Sequence, residues 1–238
     1  MTNSVQIMTS IASNLQAVNR AIVEAAHIAQ RHAENITLLA VSKTFPAVMV
    51  REAYEAGQRA FGESYMQEAL DKIAALRDLP MEWHFIGPIQ SNKTRAIAEN
   101  FAWVHGVDRL KIAERLSAQR PPSLLPLNVC IQVNVSGEDS KSGVPSGEVL
   151  ELAQAVAQLP QLRLRGLMAI PAPVEGLEAQ RKPFAQLREL MRQLNAQGLE
   201  LDTLSMGMSH DLEAAVLEGA TIVRVGTAIF GQRNYGEK

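Results

Sequence analysis

The chain has 238 residues, 47% of them apolar and 20% charged, with a net charge of −2. This is enough apolar material for a sizeable core and too little positive charge to drive nucleic-acid binding. The single cysteine excludes an internal disulfide, and no apolar stretch reaches the length of a membrane span.

Residues 1–16 lack the charged head and apolar run of a signal peptide. A soluble cytoplasmic protein is expected, with Cys130 as a buried, inert thiol. Residues 4–31 carry Ile7, Ile11, Leu15, Val18, Ile22 and Ala25 at three- and four-residue spacing, which predicts a long first helix. Eight short apolar runs follow. They are "TLLAVSKT" at 37–44, "RAFGES" at 59–64, "EWHFIG" at 82–87, "AWVHGV" at 102–107, "LNVCIQVNV" at 127–135, "RLRGLMAI" at 163–170, "DTLSMGMS" at 202–209 and "TIVRVGTAIF" at 221–230. Most are unbroken rather than alternating, as parallel strands covered by helices should be.

The stretches between them read as helices. "AVMVREAYEAG" follows Pro46, stops at Gly57 and turns Val48, Ala53 and Ala56 inward. "SYMQEALDKIAALRD" gathers Met66, Ala69, Leu70 and Ile73 on one face. Asp108 and Ser146 are placed to cap the helices that follow them, and Asp211 opens another. "SNKTRAIAEN" is the shortest of the helical stretches.

Eight strands alternating with helices match a (β/α)8 TIM barrel, here one domain over residues 1–238 with an extra N-terminal helix. The rival architecture, an open doubly wound sheet, places a glycine-rich turn after its first strand. This chain has Ser-Lys-Thr-Phe-Pro there.

A barrel keeps its chemistry at the C-terminal ends of its strands. The candidates there are Lys43, Glu63 and Ser64, His84 with Gln90, Ser91 and Asn92, His105, Asn134, Met168, Ser209 and His210, and Arg224, Gly226 and Thr227. Lys43 is either a lysine snorkelling to water or a desolvated amine, which loses its proton more easily and attacks an aldehyde. In "RVGTAIFG", the N–H groups around Gly226 and Thr227 and the Thr227 hydroxyl can cradle a phosphate; equally, the glycine can serve a tight closing turn. Strand alternation puts Arg224 on the same side as Gly226, and an inward arginine demands a partner. Ser209 can join the phosphate cup or cap a helix, or do both. His84 reads as a satisfied core histidine and His210 as a solvated turn residue. His84 and His105, without carboxylate or cysteine at ligand spacing, make no metal site. Lys141 reads as a loop lysine with a solvated head.

Taken together, "AVSKT", "FGES", "HFIGPIQSNK", "QVNVSGEDSKSG", "GLMAI", "SMGMSHD" and "VRVGTAIFG" resemble the pyridoxal phosphate homeostasis proteins, the proline-synthase co-transcribed or YggS-like family. The match runs through almost the whole chain in order. It implies a lone barrel similar to the N-terminal domain of alanine racemase, the fold-type III pattern of pyridoxal phosphate (PLP) proteins. It also implies that Lys43 forms an imine with PLP, that Ser209, Gly226 and Thr227 hold the phosphate, and that Arg224 faces the pyridine nitrogen. The resemblance further implies that Asn134, Met206 and Gly207 line the pocket. Two positions depart from the family pattern. Ser64 stands where asparagine is common, which shortens the reach to the ring hydroxyl, and Phe45 replaces a common basic residue.

An arginine opposite the pyridine nitrogen disfavours its protonation and weakens the electron sink. Racemisation also needs a second acid–base group on the opposite face. In the related racemases that group is a tyrosine from the partner subunit's C-terminal domain. Here the chain ends at Lys238, shortly after the eighth strand, and Tyr54, Tyr65 and Tyr235 do not stand at strand ends. The expectation is therefore a monomeric carrier that binds PLP reversibly, serves PLP-dependent apo-enzymes and has no catalytic residues. The alternatives are a weak racemase using Lys43 alone, and a phosphate-binding barrel enzyme that uses Glu63 or His84 without the cofactor.

Overall fold

The computed structural model describes residues 2–137 and 142–232, with side chains from residue 11 onward. Lys141 and Tyr235 lie outside the described residues. The helices are α1 (Thr2–Ile28), α2 (Ala47–Glu55), α3 (Met66–Ala75), α4 (Thr94–Asn100), α5 (Leu110–Gln119), α6 (Val149–Ala157), α7 (Leu177–Ala196), α8 (Leu212–Leu217) and α9 (Thr227–Phe230). The strands are β1 (Thr37–Val41), β2 (Ala60–Glu63), β3 (Glu82–Phe85), β4 (Trp103–Val107), β5 (Leu127–Asn134), β6 (Val144–Pro145), β7 (Leu162–Met168), β8 (Thr203–Ser205) and β9 (Ile222–Val225).

All strand pairs are parallel. β1 pairs with both β2 and β9, and β4 pairs with β5, so eight strands close on themselves. An open doubly wound sheet would leave two free edges, and this ring leaves none. Among the described residues, only the two-residue β6 stands outside it, paired with the end of β5.

Leu39, Ala60, Trp103, Cys130, Met168 and Ile222 fill the barrel interior as one cluster. Cys130 is fully buried there, and burial pushes its thiol up to about 12, which keeps it protonated. A second, larger apolar layer lies between strands and helices. That strands are covered on both faces explains why they read as unbroken apolar runs.

α1 precedes the barrel and packs on α2, α8 and α9. Ile11, Leu15, Val18, Ile22 and Ala25 are buried, as their spacing required. Asn14 donates to the Ile229 carbonyl at 2.9 Å. Arg31, just past α1, donates to the carbonyls of Val216 (2.9 Å) and Ala220 (2.8 Å) and satisfies the C-terminal end of α8.

The structure corrects several details. α2 buries Val50 and Ala53, while Val48 is 60% exposed and Ala56 is exposed. Val50 and Ala53 are three apart and share a face; Val48 is 200° away from Val50. Asp108 and Ser146 do not cap helices: Arg109 precedes α5, Ser146 lies in a 3-10 turn before α6, and neither N-terminus has a side-chain cap. β8 ends at Ser205, so residues 206–211 form a loop, and the apolar run 221–230 is half strand and half α9.

Candidate functional site

Lys43 stands two residues past β1, half-buried on a turn. The next residue, Thr44, has φ +71°, a left-handed conformation uncommon outside glycine. This turn is gripped from both sides. The Lys72 ammonium, on α3, donates to the Ser42 carbonyl at 2.7 Å. The Glu68 carboxylate accepts the Thr44 N–H at 2.6 Å. Lys72 also pairs with Glu63 at 2.8 Å and with Glu68, and the Ser42 hydroxyl donates to Glu63 at 2.6 Å. Lys72 is 4% exposed and Glu63 not at all, so the pair must be closely matched to offset its desolvation. Burial raises the Glu63 carboxyl above its usual range, and Lys72 and Ser42 pull the other way. Glu63 therefore faces α3 in the outer layer and does not open into the barrel mouth. Periodicity missed Lys72 because it counts a lysine as polar.

Lys43 lines a cleft of about 570 Å³ with Ser64, Tyr65, Gly87, Gln90 and Lys93. No carboxylate is among the described residues that line it. A Cβ at Gly87 would lie 2.6 Å from the Ser64 carbonyl oxygen, so only glycine lets these two rim segments meet. Tyr65, at the N-terminus of α3, reaches the cleft although it does not end a strand.

Across the β1–β9 seam, Arg224 pairs in register with Leu39. Arg224 is 4% exposed, and its guanidinium donates to the Ser205 hydroxyl (2.7 Å) and the Ala169 carbonyl (2.9 Å). These are the partners an inward arginine requires. Burial lowers its pKa to about 10, which leaves it charged at neutral pH. Gly226 follows on the same strand line, with Val41 so close that a Cβ would lie 3.1 Å from its carbonyl oxygen. Gly226 also precedes α9, which Thr227 opens. Met206 and Gly207 are buried. Gly207 has φ +92°, and its carbonyl accepts the Arg224 N–H at 2.9 Å. That bond holds the 206–211 loop against β9.

Ser209 and Thr227 are exposed at this end of the barrel, and Ser209 and His210 border a small cleft against α1. Asn134 ends β5, accepts the Gly137 N–H at 3.1 Å and lines a separate, larger cleft of about 890 Å³ beside α7. The larger volume does not make that cleft the better site, because Lys43 lines the smaller one. The two histidines expected to stand alone are in contact: His84 Nδ1 lies 2.9 Å from His105 Nε2. His105 lies inside β4 rather than at its end.

The donor set suits an anionic aldehyde. It comprises the Lys43 amine with Lys93 and no carboxylate among the described residues of the cleft, a buried guanidinium as a donor-only group, and hydroxyl and backbone donors near the ends of β8 and β9.

Residues 14–234 match the family model described as alanine racemase, N-terminal domain. The chain is 65% identical over 229 residues to the pyridoxal phosphate homeostasis protein of Pseudomonas aeruginosa, covering 96% of this chain and 98% of that one. It is 54% identical over 234 residues to the protein of the same name from Escherichia coli K12, covering 97% and 100%. Among solved structures, PipY of Synechococcus elongatus with PLP bound superimposes with a TM-score of 0.82 at 39% identity, covering 93% of this chain and all of that one. Alanine racemase of Corynebacterium glutamicum matches at 21% identity and a TM-score of 0.67, over 97% of this chain and 63% of that one, a likeness of fold alone.

Proposed function

The chain belongs to the alanine racemase N-terminal domain family and, within it, to the pyridoxal phosphate homeostasis proteins, and from that premise we propose that it binds PLP covalently and reversibly as a single-domain carrier in the cytoplasm. The observation that carries this reading is Lys43, held on a turn gripped by Lys72 and Glu68 and lining a cleft without carboxylates among its described residues, with the buried Arg224 on the neighbouring strand β9. Lys43 would supply the amine that holds the cofactor, and the cofactor would supply the aldehyde that makes this link reversible. Arg224 faces the pyridine nitrogen. Ser209, Gly226 and Thr227 hold the phosphate, and Met206 and Gly207 shape the loop beside it. Asn134, which also lines the separate cleft beside α7, is the remaining residue proposed for the pocket. When bound, PLP supplies an electrophilic ring; the protein's own residues anchor and shield it. A donor-only arginine holds the ring nitrogen unprotonated, which favours storage over turnover. The carrier is monomeric, influences the free PLP level, delivers PLP to apo-enzymes and so affects amino-acid and keto-acid balance.

The purified protein is expected to be yellow, with borohydride fixing the cofactor to Lys43. A Lys43→Ala protein with unchanged absorbance and cofactor content would remove Lys43 from this role.

One observation favours a second reading. The Tyr65 phenol borders the Lys43 cleft and is a candidate for the opposite-face acid of a weak racemase. Single amino acids incubated in deuterium oxide test it. α-Proton exchange that Tyr65→Phe abolishes supports the racemase, and no exchange supports the carrier.

A further inference from the structure

Arg224 is the end of a longer hydrogen-bonded chain. Its Nη1 donates to Ser205 Oγ at 2.7 Å. Ser205 Oγ lies 2.7 Å from His105 Nδ1, and His105 Nε2 lies 2.9 Å from His84 Nδ1. His84 Nε2 lies 2.8 Å from Glu82 Oε1. The four residues sit on β8, β4 and β3, and the chain crosses the barrel interior. Ser205, His105 and His84 are at most 1% exposed, whereas the Glu82 side chain is 49% exposed at the N-terminal start of β3.

The two ends set the direction of every bond. A guanidinium only donates and a carboxylate only accepts. Ser205 accepts from Arg224, and it donates to His105 Nδ1 because the carboxylate end, through two neutral imidazoles, leaves that nitrogen unprotonated. His105 must carry its proton on Nε2 and donate to His84 Nδ1. His84 must carry its proton on Nε2 and donate to Glu82. One arrangement of neutral imidazoles satisfies all four links. Burial lowers both imidazoles' pKa, that of His105 strongly, which agrees with neutral rings. The bond from His84 lowers the Glu82 carboxyl and keeps it ionised. The bonds all run one way, from the donor Arg224 to the acceptor Glu82, and aligned bonds polarise one another.

We propose that Glu82, His84, His105 and Ser205 form a polarised relay that sets, from the opposite end of the barrel, how strongly Arg224 donates to the group it faces. With respect to the pyridine nitrogen, this rests on the PLP reading above. Glu82 and the histidines are tuning residues and touch no ligand. The other titratable groups facing the chain are Arg165 beside Glu82, itself paired with Asp202, and Cys130 and Asp211 near Arg224.

The test has one arm independent of the cofactor. In ¹⁵N-labelled wild-type protein, His84 and His105 should both be neutral Nε2–H tautomers. In Glu82→Gln, which keeps an acceptor and loses the charge at a half-exposed position, the Nδ1 resonance of His105 should move. A charged His105, an Nδ1–H tautomer or an unmoved resonance overturns the relay whether or not PLP binds. In PLP-loaded protein, Glu82→Gln should lower the pH midpoint of the bound cofactor's absorbance, by roughly twofold in proton affinity, about 0.3 pH unit. Less electron density reaches Ser205, Arg224 then withdraws more from the ring, and the imine nitrogen becomes less basic. The same change in a Ser205→Ala background should leave the midpoint where Ser205→Ala alone puts it. A shift that persists there is a field acting through space and overturns the relay. A wild-type protein that never turns yellow sinks the PLP reading, and the histidine arm still decides the relay.

Discussion

The rings of Phe45 and Phe230 stack, with centroids 5.1 Å apart and planes inclined by 29°. Phe45 follows the Lys43 turn and Phe230 ends α9, so the pair joins the first loop to the last helix across the β1–β9 seam. Phe45 is 8% exposed, so its ring makes a buried contact at this seam. Phe45→Ala is expected to cost about 3–4 kcal/mol of stability, from lost burial and the lost ring pair. Urea unfolding measures this, and a loss under about 1 kcal/mol would show that the contact does little.

Lys72→Met should destabilise the protein by about 3–5 kcal/mol, because Glu63 is left buried without its cation. Lys72→Met combined with Glu63→Gln should lose less than the two single changes added together. Cofactor retention should also fall in Lys72→Met, because the Ser42 carbonyl beside Lys43 is released. Stability and the absorbance of bound PLP, measured on the same samples, separate these two effects.

Gly207 combines φ +92° with a position where a Cβ would lie 2.4 Å from the Ala215 Cβ. Gly207→Ala is therefore strained in backbone and in packing and should cost about 2–4 kcal/mol. Dialysis against buffer should strip PLP from the variant faster than from the parent, since the 206–211 loop must shift. Equal retention would detach that loop from the binding site.

His84 and His105 are buried with imidazoles lowered from the ordinary 6.5. The unfolded chain binds protons at these rings first as pH falls. Stability should be fully present above about pH 6.5 and be lost as pH drops through that value, by about 1.4 kcal/mol per unit for each histidine that stays neutral. Urea midpoints between pH 8 and 5 follow the loss. His84→Phe combined with His105→Phe should flatten the profile between pH 6.5 and 5 even if the protein is weaker throughout.

All eight apolar runs coincide with a barrel strand to within a few residues, because a strand buried on both faces has little room for polar residues. The ends of those runs were less legible. "SMGMS" and "GTAIF" stay apolar after their strands stop, so composition alone extended β8 and β9 too far. The phase of α2 slipped for a related reason: its apolar residues are spread around the helix, and only contact with the barrel decides that Val50 rather than Val48 turns inward. Tyr65 was passed over because it does not end a strand, yet the turn into α3 brings it to the cleft.

Taken alone, the sequence determined the alternation of strand and helix, the place of Lys43 at the end of the first strand, and an inward arginine on the last one. These are local properties, carried by spacing and by hydrophobic runs. The tertiary structure decided which groups meet. Glu63 finds Lys72 only when α3 folds back over β2, and Arg224 finds Ser205, His105, His84 and Glu82 only when the strands close in register. Buried polar groups must be paired, but the identity of the partner is set by barrel closure, which links residues as far apart in the chain as His105 and Ser205.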